Sequence, residues 1–231
     1  MNPSVATGKR TIKSEMVANR LREYIIKRGL KPGDRLPTEE ELAELYGVSR
    51  VSVREATKAL SYLGIVNAAP RRGLTVGNIS MERLAKILGF HFAVSDYPMD
   101  ELIDTRIVIE TGGLRQVAEK MATDPEIYQK LNAINQRLRS ANRMADWIKG
   151  DIHFHRLLVA VTGLNALAAF NDVVQAFFRR FREDFPRAQW QKGVKSHQRI
   201  IDALRAGKPD RAAKHLSEHI GSHRERFTAT P

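Results

Sequence analysis

Two helix starts and one helix stop crowd into the stretch from Pro37 to Leu63, and few architectures tolerate that spacing. Thr38 with Glu41 three residues on forms a capping box, entered through Pro37, and predicts a short helix over Glu39 to Tyr46. Gly47 ends that helix, since glycine takes the left-handed conformation of a helix end without strain. Val48 follows as an apolar plug, and Ser49 caps a further helix running to about Leu63. Ahead of this pair, Met16, Val17, Leu21, Tyr24 and Ile25 recur at helical spacing and predict a helix over 12–28, closed by the turn Lys31-Pro32-Gly33-Asp34. Behind it, Ile65 to Ala69 and Leu74 to Val76 predict a hairpin around Pro70-Arg71-Arg72-Gly73. Helix, helix, glycine turn, helix and hairpin make a winged helix-turn-helix.

From Met81 onward the period is helical almost throughout, with breaks near Tyr97-Pro98, Asp124-Pro125, Gly163, Pro186 and Gly207-Lys208-Pro209. The expected fold is mainly α: an N-terminal winged helix-turn-helix followed by an all-α bundle. The boundaries predicted are a flexible tail over 1–11, the winged unit over 12–76, a linker over 77–82 and the bundle over 83–228. Residues 99–121 are expected to form one helix.

Composition narrows the chemistry. No cysteine occurs among the 231 residues, which excludes disulfides, thiolate metal ligands and a cysteine nucleophile. Met1 to Lys13 is polar and predicts no secretory signal, and no apolar run approaches the length of a membrane span. The net charge of +12 points to a polyanionic partner, nucleic acid before membrane surface. Up to Ser80 there are 14 basic and 8 acidic residues, and after it 24 and 18, so each part carries +6 but the shorter one is denser. All seven histidines fall from His91 onward, which assigns the two parts different work.

At 100° per residue, Arg50 and Arg54 share one face of the helix that Ser49 caps, with Ser49 and Ser52 near its edges. Val53, Ala56 and Leu60 turn to the core. Two guanidinium forks near a helix start suit guanine edges or phosphates, and the serine hydroxyls suit phosphate oxygens. Arg71 and Arg72 at the hairpin tip are long enough to enter a minor groove, with Gly73 allowing the turn. Taken singly, Arg50 and Arg54 are better explained by solvation of a helix face. Together with the tip pair on one fold they favour DNA.

The run Leu36-Pro37-Thr38-Glu39, Leu42-Ala43, Gly47-Val48-Ser49-Arg50, Val53-Arg54-Glu55-Ala56 resembles the GntR family of bacterial transcription regulators over about 12–76. Thr38 stands where the family usually has serine. The resemblance implies DNA-contacting roles for Arg35, Arg50, Arg54 and the wing pair Arg72-Gly73.

In the second part, Trp147, Ile148, Phe154 and Leu158 define an apolar helix face, with Lys149, His153 and Arg156 opposite. Asp151 and His155, four residues apart, fall within the apolar face. A carboxylate there is costly unless paired or bound to a cation; an Asp–His hydrogen bond in the core is the simpler alternative. His197 lies on the stripe Trp190, Val194, Ile201 and Leu204 of a later helix. His215, His219 and His223 follow at successive i,i+4 positions in the last helix, where periodicity slightly favours His223 as the more central. One aspartate and three histidines from three helices would suit a divalent ion of zinc or nickel type. Arg106 and Glu110 lie within the apolar arc of Leu102, Ile103, Leu114, Val117 and Met121. They form either a buried ion pair or a fork aimed into a cavity, ready to take a carboxylate.

Arg106-x-x-x-Glu110, Asp151-x-x-Phe154-His155, His197-x-x-Ile200-x-x-Ala203 and Leu216-x-x-His219-Ile220 resemble the FCD effector domain of the FadR-like branch of that family, over about 83–227. The resemblance implies Asp151, His155, His197 and His219 as ligands of a divalent metal, zinc first and nickel or another ion as alternatives. It implies Arg106 beside an anionic effector, and dimerisation through the helical domain. Thr162-Gly163-Leu164-Asn165 departs from the family's small residue-Gly-Asn, and the displaced Asn165 is expected only to cap the next helix.

The expected protein is a cytoplasmic, nucleoid-associated bacterial regulator. As a homodimer it would bind a palindromic duplex and respond to a small carboxylate or sugar acid, most often as a repressor. A metal-dependent hydrolase with a basic N-terminal module is the competing class, with Glu110 as its only candidate base. A non-specific architectural DNA binder would leave Asp151, His155 and Arg106 without a role.

Overall fold

A computed structural model describes residues 3–69, 73–79, 81–95, 97–179, 187–222 and 224. The chain divides into two compact units, Met1–Leu84 and Ala85–Pro231.

In the first unit, α1 (Pro3–Lys27), α2 (Glu39–Tyr46) and α3 (Arg50–Tyr62) precede a hairpin of β1 (Val66–Ala69) and β2 (Gly73–Val76). The helix expected from residue 12 begins at Pro3, so the predicted tail over 1–11 is helical from Pro3 onward. The cap box forms as expected: Glu41 N–H donates to Thr38 Oγ1 at 3.2 Å, and Thr38 N–H to Glu41 Oε2 at 2.7 Å. Gly47 closes α2 at φ 64°, a conformation that strains residues bearing a Cβ. The helix α3 packs against α1, α2 and β1, burying Val53, Ala56 and Leu60 beside Val17, Leu21 and Leu42. The strands pair antiparallel, Val66 opposite Val76. The segment before α2 joins the edge of β2: Leu36 N–H donates to Leu74 O, and Arg35 bridges Thr75.

The second unit is helical. Its elements are α4 (Met81–Val94, which spans the division), α5 (Met99–Thr111), α6 (Leu114–Thr123), α7 (Pro125–Arg139), α8 (Met144–Ala160), α9 (Asn165–Phe178), α10 (Arg187–Arg205) and α11 (Pro209–Gly221). The single helix expected over 99–121 is two, broken at Gly112-Gly113. A Cβ on Gly113 would lie 2.4 Å from Thr162 Cγ2, so only glycine admits the end of α8 that closely. Of the expected breaks, Pro98 opens α5, Asp124 caps α7 ahead of Pro125, Gly163 follows α8 and Gly207 follows α10. The break placed at Pro186 lies outside the described residues. Asn165 does not cap α9: Leu164 holds the cap position with no side-chain bond, and Thr162 Oγ1 accepts from Leu164 N–H instead.

Helix α10 packs against α7 and α11, α11 against α5, and α8 against α7 and α9. Those contacts bury Phe154, Leu158, Ile200, Ile201, Leu204 and Leu216 in one core. Polar side chains on the inner faces of α5, α8, α9, α10 and α11 are buried with that core.

Candidate metal centre and reading helix

Asp151 and His155 sit one turn apart on α8, His197 on α10 and His219 on α11, all buried in the core. One ligand-type atom from each lies within 4.8 Å of every other. Nε2 of His197 and Nε2 of His219 are 3.2 Å apart, and Asp151 Oδ1 lies 3.5 Å from His197 Nε2 and 3.8 Å from His155 Nε2. Donor atoms bound to one ion at about 2.1 Å stand roughly 3.0–3.4 Å apart at octahedral to tetrahedral angles. The cluster falls close to that spacing.

The protonation of the cluster suits a cation. Burial pushes the His197 imidazole down to about 3, outweighing the opposing pull of Asp151. Burial, reinforced by His197 and His155, also holds His219 well below the ordinary histidine range. Both are therefore neutral at pH 7, the form that donates a lone pair. His155 Nε2 is buried with no hydrogen-bond partner, while its Nδ1 faces Glu110 Oε2. A carboxylate only accepts, so Nδ1 is the nitrogen that donates to Glu110 and Nε2 is the one left to face the cluster.

Arg106 and Glu110 are both buried, with Arg106 Nε donating to Glu110 Oε1 at 2.6 Å. Burial alone would raise the Glu110 carboxyl, but Arg106 and then His155 outweigh it and hold Glu110 well below the carboxylate range. The ion pair and the fork are not exclusive. Only Nε is engaged in that bond, whereas Nη2 is buried without a hydrogen-bond partner. The guanidinium lies 5.4 Å from the Phe178 ring centre. Gln175 Nε2 donates to Glu110 Oε1 at 2.7 Å and to Asn171 Oδ1 at 3.3 Å.

Asn171 and Gln175 escaped the reading of the sequence. They stand four residues apart within Phe170, Val173, Val174, Phe177 and Phe178, the same polar-in-apolar signal that singled out Arg106 and Glu110. Among the three C-terminal histidines, His219 joins the cluster. His215 faces Glu218 and Arg211 instead, and His223 lies outside the described residues.

On α3, Arg50 and Arg54 are exposed on one face, and each meets an acid of α2: Arg54 Nε is 3.3 Å from Glu39 Oε2, and Arg50 Nη2 contacts Glu40 Oε1. Ser49 caps the helix and is exposed. Ser52, expected at the edge of this face, is instead buried, its hydroxyl 3.0 Å from Ser49 Oγ, because it packs under the cap. Arg35 is exposed beside β2, and Gly73 opens β2 at φ 75°. Arg71 and Arg72 lie outside the described residues.

Residues 101–222 match the FCD domain and residues 13–76 match the bacterial regulatory proteins of the gntR family. The chain belongs to the GntR family and carries an FCD domain. This GntR-family chain is thus a DNA-binding transcription regulator and not an enzyme. The transcriptional repressor NanR of Cronobacter sakazakii is 29% identical over 216 residues, covering 90% of this chain and 83% of that protein. NanR of Salmonella newport is 28% identical with the same coverage. Among solved structures, Streptococcus agalactiae GntR aligns with a TM-score of 0.68 at 25% identity, over 92% of this chain and 99% of that one. E. coli McbR/YncC shares the fold, with a TM-score of 0.51 at 20% identity over 94% and 97%. The Asp151, His155, His197 and His219 cluster of this GntR-family regulator can hold a metal ion. No helix among the described residues is long and apolar enough to cross a membrane.

Proposed function

We propose that the protein is a repressor that binds a palindromic operator as a homodimer and senses a small carboxylate or sugar acid in a metal-containing pocket. Asp151, His155, His197 and His219 would hold the ion, zinc by preference and nickel or another divalent ion otherwise. The observation that carries the reading is the buried, unpartnered Nη2 of Arg106, on a guanidinium whose Nε shares Glu110 with the cluster's His155. An unsatisfied buried donor costs about 1–3 kcal/mol, and a carboxylate oxygen on Nη2 recovers it. The ion supplies a positive charge and open positions for the effector's remaining oxygens.

The residues of the chain do the rest. Arg106 orients the anion, Glu110 holds both Arg106 and the His155 tautomer, and Asn171 and Gln175 close the polar wall on α9. Arg35, Ser49, Arg50, Arg54, Arg72 and Gly73 would contact DNA; Ser52 supports the cap that presents them. Repression is supported by the name of the NanR relatives. Two reading helices in a C2 dimer would meet half-sites about one helical turn apart, and the effector would shift the dimer between arrangements that fit and misfit that spacing. A cytoplasmic location follows from this role. The hydrolase alternative loses its base, since Glu110 is already held by Arg106, Gln175 and His155.

The test is a thermal-shift screen of small carboxylates and sugar acids, with and without chelator. A stabilising acid whose effect disappears on chelation and in Arg106→Ala supports the sensor. An unchanged response in the Asp151→Ala, His155→Ala double variant removes the metal from it.

A further inference from the structure

The capping box of α2 uses Thr38 and Glu41, and Glu39 and Glu40 lie outside it in the first turn, where acids favour the helix start. Both carboxylates instead reach across to α3, to the two arginines of the exposed face, but they engage different parts of the guanidinium. Glu39 takes Arg54 through Nε, at 3.3 Å. Its other oxygen lies 3.3 Å from the hydroxyl of buried Thr57, which also lies 3.1 Å from the Arg54 carbonyl. Glu39 is thus itself held from below, and Arg54 is gripped at the back of its fork. Glu40 is more exposed, at 56% of its side chain against 32% for Glu39, and no hydroxyl among the described residues anchors it. It meets Arg50 at Nη2, a terminal nitrogen.

A guanidinium reads guanine with two N–H groups at once, and the geometry of that contact carries the discrimination. An acid on Nε pre-orients the fork and leaves both terminal nitrogens to the base. An acid on Nη2 occupies the reading edge and must be displaced before a base or phosphate can take its place.

We propose that the two carboxylates opening α2 act in opposite senses on the reading arginines: Glu39 is a positioning residue that holds Arg54 for base contact, and Glu40 masks Arg50. The proposal rests on the assignment of α3 as the reading helix. Glu39 then raises the preference for the operator over other DNA. Glu40 lowers affinity for all DNA, and exacts a displacement that a well-placed guanine or phosphate repays best.

The experiment uses the full chain and the tightest duplex recovered by selection from a random-sequence library, with a scrambled duplex beside it. In Glu39→Gln the charge that strengthens the bond to Arg54 Nε is lost, and the ratio of selected to scrambled binding falls about tenfold. Glu39→Asp, which keeps the charge at the helix start but is too short to reach Arg54, falls likewise. Glu40→Gln moves the other way and tightens binding to both duplexes several-fold. An unchanged ratio in Glu39→Gln and Glu39→Asp, or unchanged or weaker binding to the scrambled duplex in Glu40→Gln, overturns the proposal. Arg54→Ala separates the two levels of failure: if it keeps the selected duplex, the reading-helix assignment falls, and the proposal with it.

Discussion

Glu110 carries more of the site than any other single residue, because each of its oxygens answers a different need. Oε1 accepts from Arg106 and Gln175, and Oε2 faces the His155 ring nitrogen. A glutamine there presents its amide to one of these donors and leaves it opposed. Glu110→Gln is therefore expected to weaken zinc binding about 10–100-fold, the usual cost of losing a carboxylate behind a ligating histidine. Competition with a chromophoric chelator measures it, and an affinity equal to wild type would contradict the orienting role. The histidines give a pH signature in the metal-free protein. His197 stands at about 3 in the fold against an ordinary 6.5, so the unfolded chain takes up a proton that the folded chain refuses. That contribution to stability is present above pH 6.5 and is lost as the pH falls from there towards 3; His219, shifted the same way, adds to the loss. Glu110, also lowered, adds a further loss below its ordinary 4.5. Melting temperatures are expected to fall steadily between about pH 7.5 and about pH 5, and a flat profile would contradict the assignment.

At the scale of elements, punctuation and periodicity reveal different things. The box at Thr38–Glu41, the Gly47 stop and the Ser49 cap act within one turn of themselves, so α2 and α3 fall where the sequence places them. The single helix expected over 99–121 is not settled by local chemistry: Gly112-Gly113 is weak helix chemistry that a continuous helix can tolerate, and Thr162 lies against Gly113 where no Cβ would fit. Gly113→Ala is expected to cost about 1–3 kcal/mol, because its methyl meets Thr162 Cγ2. Thr162→Ser, which removes that methyl, is expected to restore part of the loss. Denaturant midpoints of the two single variants and the double variant read this directly, and additive losses would show that the contact is not the cause. Asn165 fails as a cap for a comparable reason, since Thr162 already serves the backbone at that corner.

For the whole molecule, the two units make separable predictions. Zinc at a hundredfold excess over its dissociation constant is expected to stabilise the protein by about 2.7 kcal/mol, and chelation to remove that gain. Asp151→Ala should abolish the zinc dependence while salt-sensitive retention on DNA survives without effector. Retention should fall steeply with salt, and Arg50→Ala should weaken it on any sequence. Loss of DNA binding in Asp151→Ala at a temperature where it stays folded would join the two functions more tightly than this arrangement requires.

The sequence by itself determined the winged unit's helices and hairpin and the helical character of the rest, the division of labour between arginine-bearing and histidine-bearing parts, and the identities Asp151, His155, His197 and Arg106. Local capping, helical period and polar residues on apolar faces are all written along the chain. Periodicity did not determine that His219 rather than His215 or His223 completes the cluster, because the three recur at the same spacing along the sequence; only the family resemblance pointed to His219. The sequence also did not determine that Glu110 serves Arg106 and His155 at once, that Asn171 and Gln175 wall the site, or that Ser52 is buried under its cap. The outcomes at the cluster depend on the rotation and approach of α9 and α11 against α5 and α8, and the burial of Ser52 on the packing of α3 within the first unit. That geometry is set by how side chains from distant parts of the chain fill one core, and no local pattern encodes it.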